Sequence, residues 1–276
     1  MDNFLSTHVI VNHRLTTVWL DRIWLAGIPA VEIFCGRQHL DYHNRAQIDE
    51  LAHWFDDAEL KLHSLHGPIF TDEVWGRSGP HSIISITETA KPRRIEAVDE
   101  IKRALEIAEV IPFKYFIQHI GTADEEYDER KVEAAFNSLE ELSNFARQRG
   151  VRLLLENIPN GFSSAERLVY FLGETHLDLD FCFDTGHAHM NEGIPVAFDR
   201  MKERIRSTHV HDNDGVADKH LFPTLAPEGS IDWKKTMELF RSRPGQFPLL
   251  LELKDSAEVE HPIDDAKRVF ANLESL

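Results

Sequence analysis

Eight short β-rich runs, each followed by a longer amphipathic one, restrict this chain to very few architectures. The runs fall at about 7–11 (THVIV), 30–35 (AVEIFC), 61–66 (KLHSLH), 115–120 (YFIQHI), 152–158 (RLLLENI), 179–184 (LDFCFD), 207–211 (STHVH) and 248–254 (PLLLELK). Several are continuous apolar stretches, as parallel strands buried on both faces require. Helical periodicity fills the gaps: Ile48, Leu51, Ala52 and Phe55; Ile95, Val98, Ile101 and Leu105; Val132, Ala135, Phe136 and Leu139; Ala266, Val269, Phe270 and Leu273. Strand and helix alternating eight times close into a barrel. An open doubly wound sheet would carry a Gly-rich phosphate loop after its first strand, and none follows here. The expectation is therefore an α/β protein, a single-domain (β/α)8 TIM barrel over residues 1–276, a usual length for that fold.

Two connections exceed what a barrel needs, residues 67–92 and 212–231, both rich in Gly, Pro and polar residues. Both leave the C-terminal ends of their strands, the face on which barrels build sites. Reading each strand to that end finds a ligand-type side chain on six of them: His66, His119, Glu156, Asp184, His211 and Glu252. A single histidine at a strand end is usually a hydrogen-bonded core residue. Glu156 and Glu252 each close an apolar LLLE run, and an unpaired buried carboxylate is costly, so each needs a cation or a strong donor. A buried ion pair to Arg or Lys answers that for either alone. For both, among four other ligand types, a metal is the more economical answer.

Three local motifs add to this. Asp184-Thr185-Gly186-His187 leaves a strand and turns, so both ends can face the barrel mouth. His209-Val210-His211 sets two imidazoles on one side of a strand, because side chains alternate. Asp218-Lys219-His220 lies in the following loop, which a metal could tether. Mixed carboxylate and imidazole donors suit Zn, Mn, Co or Fe. Elsewhere the expectations are plainer. His189 hydrogen-bonds its turn, His13 makes a structural hydrogen bond, His63 and His66 cannot both face inward in a regular strand, and Asp21 and Glu32 read as surface charge.

The formal charge of −17 argues against nucleic acid as a partner, since phosphate-backbone affinity needs a basic footprint. Lys91-Pro92-Arg93-Arg94 and Lys202–Arg206 are short clusters of the kind found at solvated helix ends. Cys35 and Cys182 sit in apolar runs as free thiols. No run reaches the ~18 apolar residues of a membrane span, and the N-terminus lacks a signal-peptide pattern, so the cytoplasm is the expected location. A homo-oligomer stays open, because exposed helix faces and interface faces read alike.

From about residue 5 to 275 the chain resembles the xylose-isomerase-like barrel superfamily, which includes sugar isomerases and epimerases, inosose dehydratase-type enzymes and endonuclease IV. The motifs that carry the resemblance are Leu155-Glu156-Asn157, Phe183-Asp184-Thr185-Gly186-His187, His211-Asp212-Asn213-Asp214 and the closing Leu-Leu-Glu252. The resemblance implies one divalent metal on Glu156, Asp184, His211 and Glu252. His209 shares a face with His211, and only the His-Asp-Asn-Asp match selects His211. Similarity to endonuclease IV further implies up to three ions, zinc or manganese, with His66, His119, His187, Asp218 and His220 as additional ligands. All nine ligand types are present, although the loop between His211 and Asp218 is shorter than in the nuclease.

The implied activity is that of a metal-dependent isomerase or epimerase of a sugar or similar small hydroxy-carbonyl compound, by proton transfer through a metal-stabilised enediolate. Glu156 and Glu252 would move the proton, and His187, His209, Asp212 and Trp75 would contact the substrate or support the site. The alternatives are a zinc-dependent phosphoester hydrolase resembling endonuclease IV and a metal-dependent dehydratase. Substrate identity is not readable from these residues.

Overall fold

The computed structural model describes residues 1–256 and 259–276. Its eight strands are β1 (Asn3–Ser6), β2 (Ala30–Phe34), β3 (Lys61–His66), β4 (Tyr115–Gln118), β5 (Arg152–Glu156), β6 (Asp180–Asp184), β7 (Ile205–His209) and β8 (Leu249–Leu251). All described pairings are parallel and run in sequence order, with β1 also joined to β8. A bridge between Val210 and Leu251 and the Val210 N–H donated to Leu250 O (2.9 Å) close β7 onto β8. The chain is thus a (β/α)8 TIM barrel.

Nine helices surround the strands among the described residues: α1 (Thr17–Leu25), α2 (Arg45–Asp57), α3 (Lys91–Leu105), α4 (Glu129–Arg147), α5 (Ala165–Gly173), α6 (Thr185–Met190), α7 (Ile194–Met201), α8 (Trp233–Arg241) and α9 (Pro262–Ser275). Several begin where the sequence offers a cap: Asn44, Asp128, Ser164, Asp184 and Asp232 each accept an N–H from the first turn. The expected stripes pack on the core, with Ala52, Phe55, Val132 and Phe136 only partly buried and Ile95 half exposed; Ala97 and Ala104 share the inner face of α3 with Val98, Ile101 and Leu105.

Strand alternation sorts side chains into two layers. Phe116, Leu153, Leu155, Phe181 and Phe183 join the main core under the helices, while Tyr115, Ile117, Leu154 and Cys182 form a separate cluster inside the barrel. Glu156 and Asp184 lie at the top of the inward rows of β5 and β6, in phase with Leu154 and Cys182. Cys35 and Cys182 are buried free thiols.

Two expectations are corrected here. The first strand is Asn3–Ser6, and Thr7–Ile10 is a 3-10 turn capped by the Ser6 hydroxyl. A run of β-branched residues reads as strand, but the local cap and the barrel register win. The result places His8 at the mouth. His63 and His66 are the second case: the β2–β3 register passes from Val31↔Leu62 to Glu32↔Ser64, leaving His63 as the extra residue of a bulge. His63 therefore packs on Phe4 and Tyr115 while His66 lines the mouth.

Candidate metal centre

Five carboxylates, Glu32, Glu156, Asp184, Asp218 and Glu252, gather at the C-terminal end of the barrel, and all but Asp218 are fully buried. Among the described residues none of the five pairs with Arg or Lys; every ion-pair partner is a histidine. The ordinary answer to a buried carboxylate, an Arg or Lys bridge, is therefore absent at Glu156 and Glu252.

The imidazoles are oriented in a consistent way. Nδ1 of His66, His187, His211 and His220 lies at 2.9, 3.0, 3.3 and 3.1 Å from the main-chain oxygens of Gly67, Asn157, Asp212 and Glu252. A carbonyl only accepts, so each Nδ1 carries a proton and each Nε2 is the nitrogen turned toward the site. Those Nε2 atoms face carboxylates: His66 and Glu156 at 3.5 Å, His187 and Asp218 at 3.1 Å, His211 and Asp184 at 3.1 Å, His220 and Asp218 at 3.2 Å. Backbone carbonyls holding the far nitrogen of a ring are the usual support of a metal-ligating histidine.

His209 is turned the other way. Its Nε2 meets Glu32 Oε1 at 3.0 Å, and its Nδ1 points at Glu156 Oε1 (3.2 Å) and Glu252 Oε2 (3.3 Å). Glu156 Oε1, His209 Nδ1 and Glu252 Oε1 are buried without a hydrogen-bond partner. Lone pairs this close, unshared by a proton donor, are stabilised only by a cation between them or by protonation of the ring. Burial by itself would raise the Glu156 carboxyl, but His209 and His119 outweigh it and hold it well below the usual range. For His220, burial lowers the pKa and Asp218 more than reverses that, pushing it up to about 9.

The expected ligands and His209 fall into overlapping groups whose donor atoms lie within 4.8 Å of one another: Glu156, Asp184, His209 and Glu252; His187, His211, Asp218 and His220; His66, His119 and Glu156; and His66, His209 and Glu252. His209 falls in the quartet with Glu156, Asp184 and Glu252, while His211, which the motif match selects, approaches the same Asp184 with its Nε2 at 3.1 Å. His211 also stacks on His220, ring centroids 3.9 Å apart. Sequence alternation could not separate the two, because both lie on one side of the strand.

The loop after β7 is built to return Asp218 and His220 to the mouth. Asp212 accepts N–H groups from Asn213, Ser230 and Ile231 and the Trp233 indole N–H, so its carboxylate secures the loop and is not free for substrate. Lys219 turns outward to Asp214 at 2.7 Å, leaving the residues on either side to face in. His189 bonds Ser230 (2.8 Å), and the His13 carbonyl accepts from His39, as structural residues do. A cavity of about 510 Å³ opens above the groups. Trp75, Phe34, Phe70 and Ile84 form its apolar wall, and among the described residues no Arg or Lys lines it.

Two site residues escaped the sequence reading. Glu32, taken for surface charge, is fully buried at the barrel centre. Its signal was present, since AVEIF sets a carboxylate inside an apolar strand just as LLLE does. His8 also lines the cavity, its Nδ1 at 2.9 Å from Leu253 O, and was hidden by the misplaced first strand.

A closed parallel barrel with acid and imidazole groups converging at its C-terminal mouth defines a TIM barrel with a candidate metal site. The chain belongs to the xylose isomerase-like TIM barrel family, whose model matches residues 20–275. Among curated proteins it is 29% identical over 227 residues to the uncharacterized protein MJ1614 of Methanocaldococcus jannaschii, covering 80% of this chain and 81% of the relative. Its fold is similar to that of a D-tagatose 3-epimerase-like protein (TM-score 0.76, 21% identity, 100% and 97% of the two chains). It is also similar to the IolI protein with a binding zinc atom (TM-score 0.77, 18% identity, 100% and 98%). Among the described residues no helix is long and apolar enough to cross a membrane.

Proposed function

We propose that this chain is a divalent-metal-dependent isomerase or epimerase of a small, uncharged sugar or similar hydroxy-carbonyl compound. The observation that carries the reading is the set of inward-facing ring nitrogens held against buried carboxylates with no Arg or Lys among them. Glu156, Asp184, His209 and Glu252 would hold the principal ion, and their mixed oxygen and nitrogen donors suit zinc or manganese. A bound divalent cation would polarise neighbouring carbonyl and hydroxyl oxygens and lower the cost of removing the adjacent carbon-bound proton.

Glu156 ends β5 and Glu252 follows β8, so they reach the site from different sides of the mouth, with His209 Nδ1 between them. One would take a proton from the substrate carbon and the other return one to the opposite face. Trp75 and the apolar wall would pack the C–H face of the substrate, and His187 would contact a substrate oxygen if its own group holds no ion. The names of similar structures, an epimerase-like protein and a zinc-bound barrel, support this reading.

A second reading has its own support. The groups His66–His119–Glu156 and His187–His211–Asp218–His220 offer places for two further ions, as a phosphoester hydrolase would use. The apolar, lysine- and arginine-free cavity wall weighs against a phosphate-rich polymer. A dehydratase would share the proton-abstraction step.

Elemental analysis of protein purified without chelator, followed by incubation of ketoses in deuterated water, tests the proposal. About one ion per chain and deuterium uptake at the carbon beside the carbonyl are expected. Two or three zinc ions with phosphatase activity would move the assignment to the hydrolase. No bound metal after soaking in excess divalent ions would refute both.

A further inference from the structure

We propose that the substrate of this centre is amphipathic: a hydroxy-carbonyl head that meets the acids and imidazoles, carrying an uncharged apolar group that lies against a flap over the mouth. The inference rests on the isomerase reading above for which end is the head. Residues 69–84 form the flap: Phe70 bridges Ile83 in antiparallel sense, and Thr71 N–H donates to Ser82 O and Ile84 N–H to Ile69 O, both at 2.8 Å. Arg37 donates to Thr71 O at 3.1 Å, and Gln38 Oε1 accepts the Trp75 N–H at 2.9 Å. The β2–α2 connection thus holds the flap against the cavity that Trp75, Phe70 and Ile83 line.

Aromatic rings run from the flap down to the acids and imidazoles. Phe34 stacks on His66 with ring centroids 4.3 Å apart, Trp75 packs on Phe34 at 4.9 Å, and Phe70 meets Trp75 edge-on at 6.0 Å. His66 is one of the candidate ligands, so the apolar strip begins beside the reacting end of the cavity and climbs away from it. Trp75 and Phe70 are only half-buried, and Ile83 is 37% exposed. Apolar surface left open inside a cavity is surface that a ligand can take out of water.

Hydrogen-bond accounting argues against a polyol along this strip. Beyond the acids and imidazoles, the lining side chains that can hydrogen-bond are, among the described residues, Gln118, Thr122 and the Trp75 indole. Gln118 gives an amide N–H to His119 O at 3.0 Å. Thr122 gives Glu125 its hydroxyl at 3.3 Å and its main-chain N–H at 2.8 Å. A free hexulose carries a hydroxyl on every carbon beyond the reacting pair, and each one pressed on this wall would lose its water without gaining a partner. A cavity of about 510 Å³ is also within the range that encloses drug-sized molecules, which are larger than a bare ketose. The same wall offers no Arg or Lys among the described residues, so the added group is uncharged.

The test compares L-erythrulose with its benzyl ether formed at the hydroxyl farthest from the carbonyl, two ligands that share one hydroxymethyl ketone head. Their affinities for the full chain supplied with zinc are measured by titration calorimetry. The ether should bind at least about tenfold more tightly, the scale on which apolar pockets discriminate, with a more negative heat-capacity change. In Trp75→Ala the ratio of the two affinities should fall toward one. Both ligands are titrated into the same preparation, so a loss common to both cancels in that ratio, and the wild-type comparison needs no variant. Equal affinities in the wild type, or a preference that Trp75→Ala leaves unchanged, would overturn the inference. Deuterium uptake beside the carbonyl, followed for both ligands in deuterated water, keeps the isomerase reading separate. Uptake with no preference for the ether would leave that reading standing. A preference for the ether with no uptake from either ligand would overturn that reading and keep the apolar strip as a binding surface. No binding of either ligand would overturn both.

Discussion

Replacing Gly186 by alanine places a methyl carbon where the His211 ring already lies: an ideal Cβ there is 2.0 Å from Cε1, 2.5 Å from Nδ1 and 2.7 Å from Nε2. Real Cβ contacts do not fall below about 3 Å, so ring and methyl must separate by about 1 Å. The backbone cannot supply that movement easily. Asn213 donates to Gly186 O at 2.8 Å, and Asn157 brackets Asp184 through its N–H (2.8 Å) and carbonyl (2.9 Å). Thr185 Oγ1 accepts the His211 N–H at 3.1 Å and donates to His211 O at 2.9 Å. The ring therefore yields, and the 3.1 Å approach of Nε2 to Asp184 is lost.

Overpacking of this kind costs about 1–3 kcal/mol. With an unfolding entropy of about 2.1 cal/mol/K per residue over 276 residues, that corresponds to a Tm lower by roughly 2–5 °C. Because His211 belongs to the His187–Asp218–His220 group and His209 to the quartet, the variant should lose metal from the former and retain one ion in the latter. Scanning calorimetry and elemental analysis of the same preparation read both effects. A variant with unchanged Tm and unchanged zinc content would show that His211 is not where the argument requires it. Loss of every ion would restore His211 to the principal site.

Metal removal should itself be visible in stability: an ion at 1,000 times its Kd contributes about 4 kcal/mol, so stripping one ion from this 276-residue chain should lower Tm by about 7 °C. A chelator-independent Tm would count against any tight site. His39 offers an acid-stability test away from the centre. Burial is the main cause that lowers its pKa from 6.5 to about 4, while its Nδ1 donates to His13 O (2.6 Å) and its Nε2 lies 2.9 Å from the Thr7 hydroxyl. The unfolded chain then binds the proton first, so stability present above pH 6.5 is lost as pH falls toward about 4, by about 1.4 kcal/mol per unit of difference, or roughly 3 kcal/mol in all. Chelator-treated His39→Asn should show a correspondingly flatter decline in denaturant titrations; an identical decline would refute the assignment.

Much of the architecture was legible because it depends on periodicity that one chain segment carries alone. Seven of the eight strand positions and the main helical stripes follow from alternation and 3.6-residue repeats, as does the placement of Glu156 and Asp184 at strand ends. The exception, Thr7–Ile10, shows the limit: β-branched composition is a weak local preference, and the Ser6 cap overrides it. His8 then reaches the mouth two residues beyond β1.

What the sequence by itself determined is the inventory: a barrel-forming alternation, acids at the ends of apolar strands, and more imidazoles at the mouth than a core needs. Which of them stand together was decided only by tertiary structure. His209 and His211 have the same phase on one strand and cannot be told apart locally, and Glu32 looks like any charge in a short run. Their roles come from strand bulges and from partners as far as 177 positions away, as with His209 and Glu32. Ligand grouping depends on where donor atoms meet across a closed barrel, and that meeting exists only once β7 has joined β8.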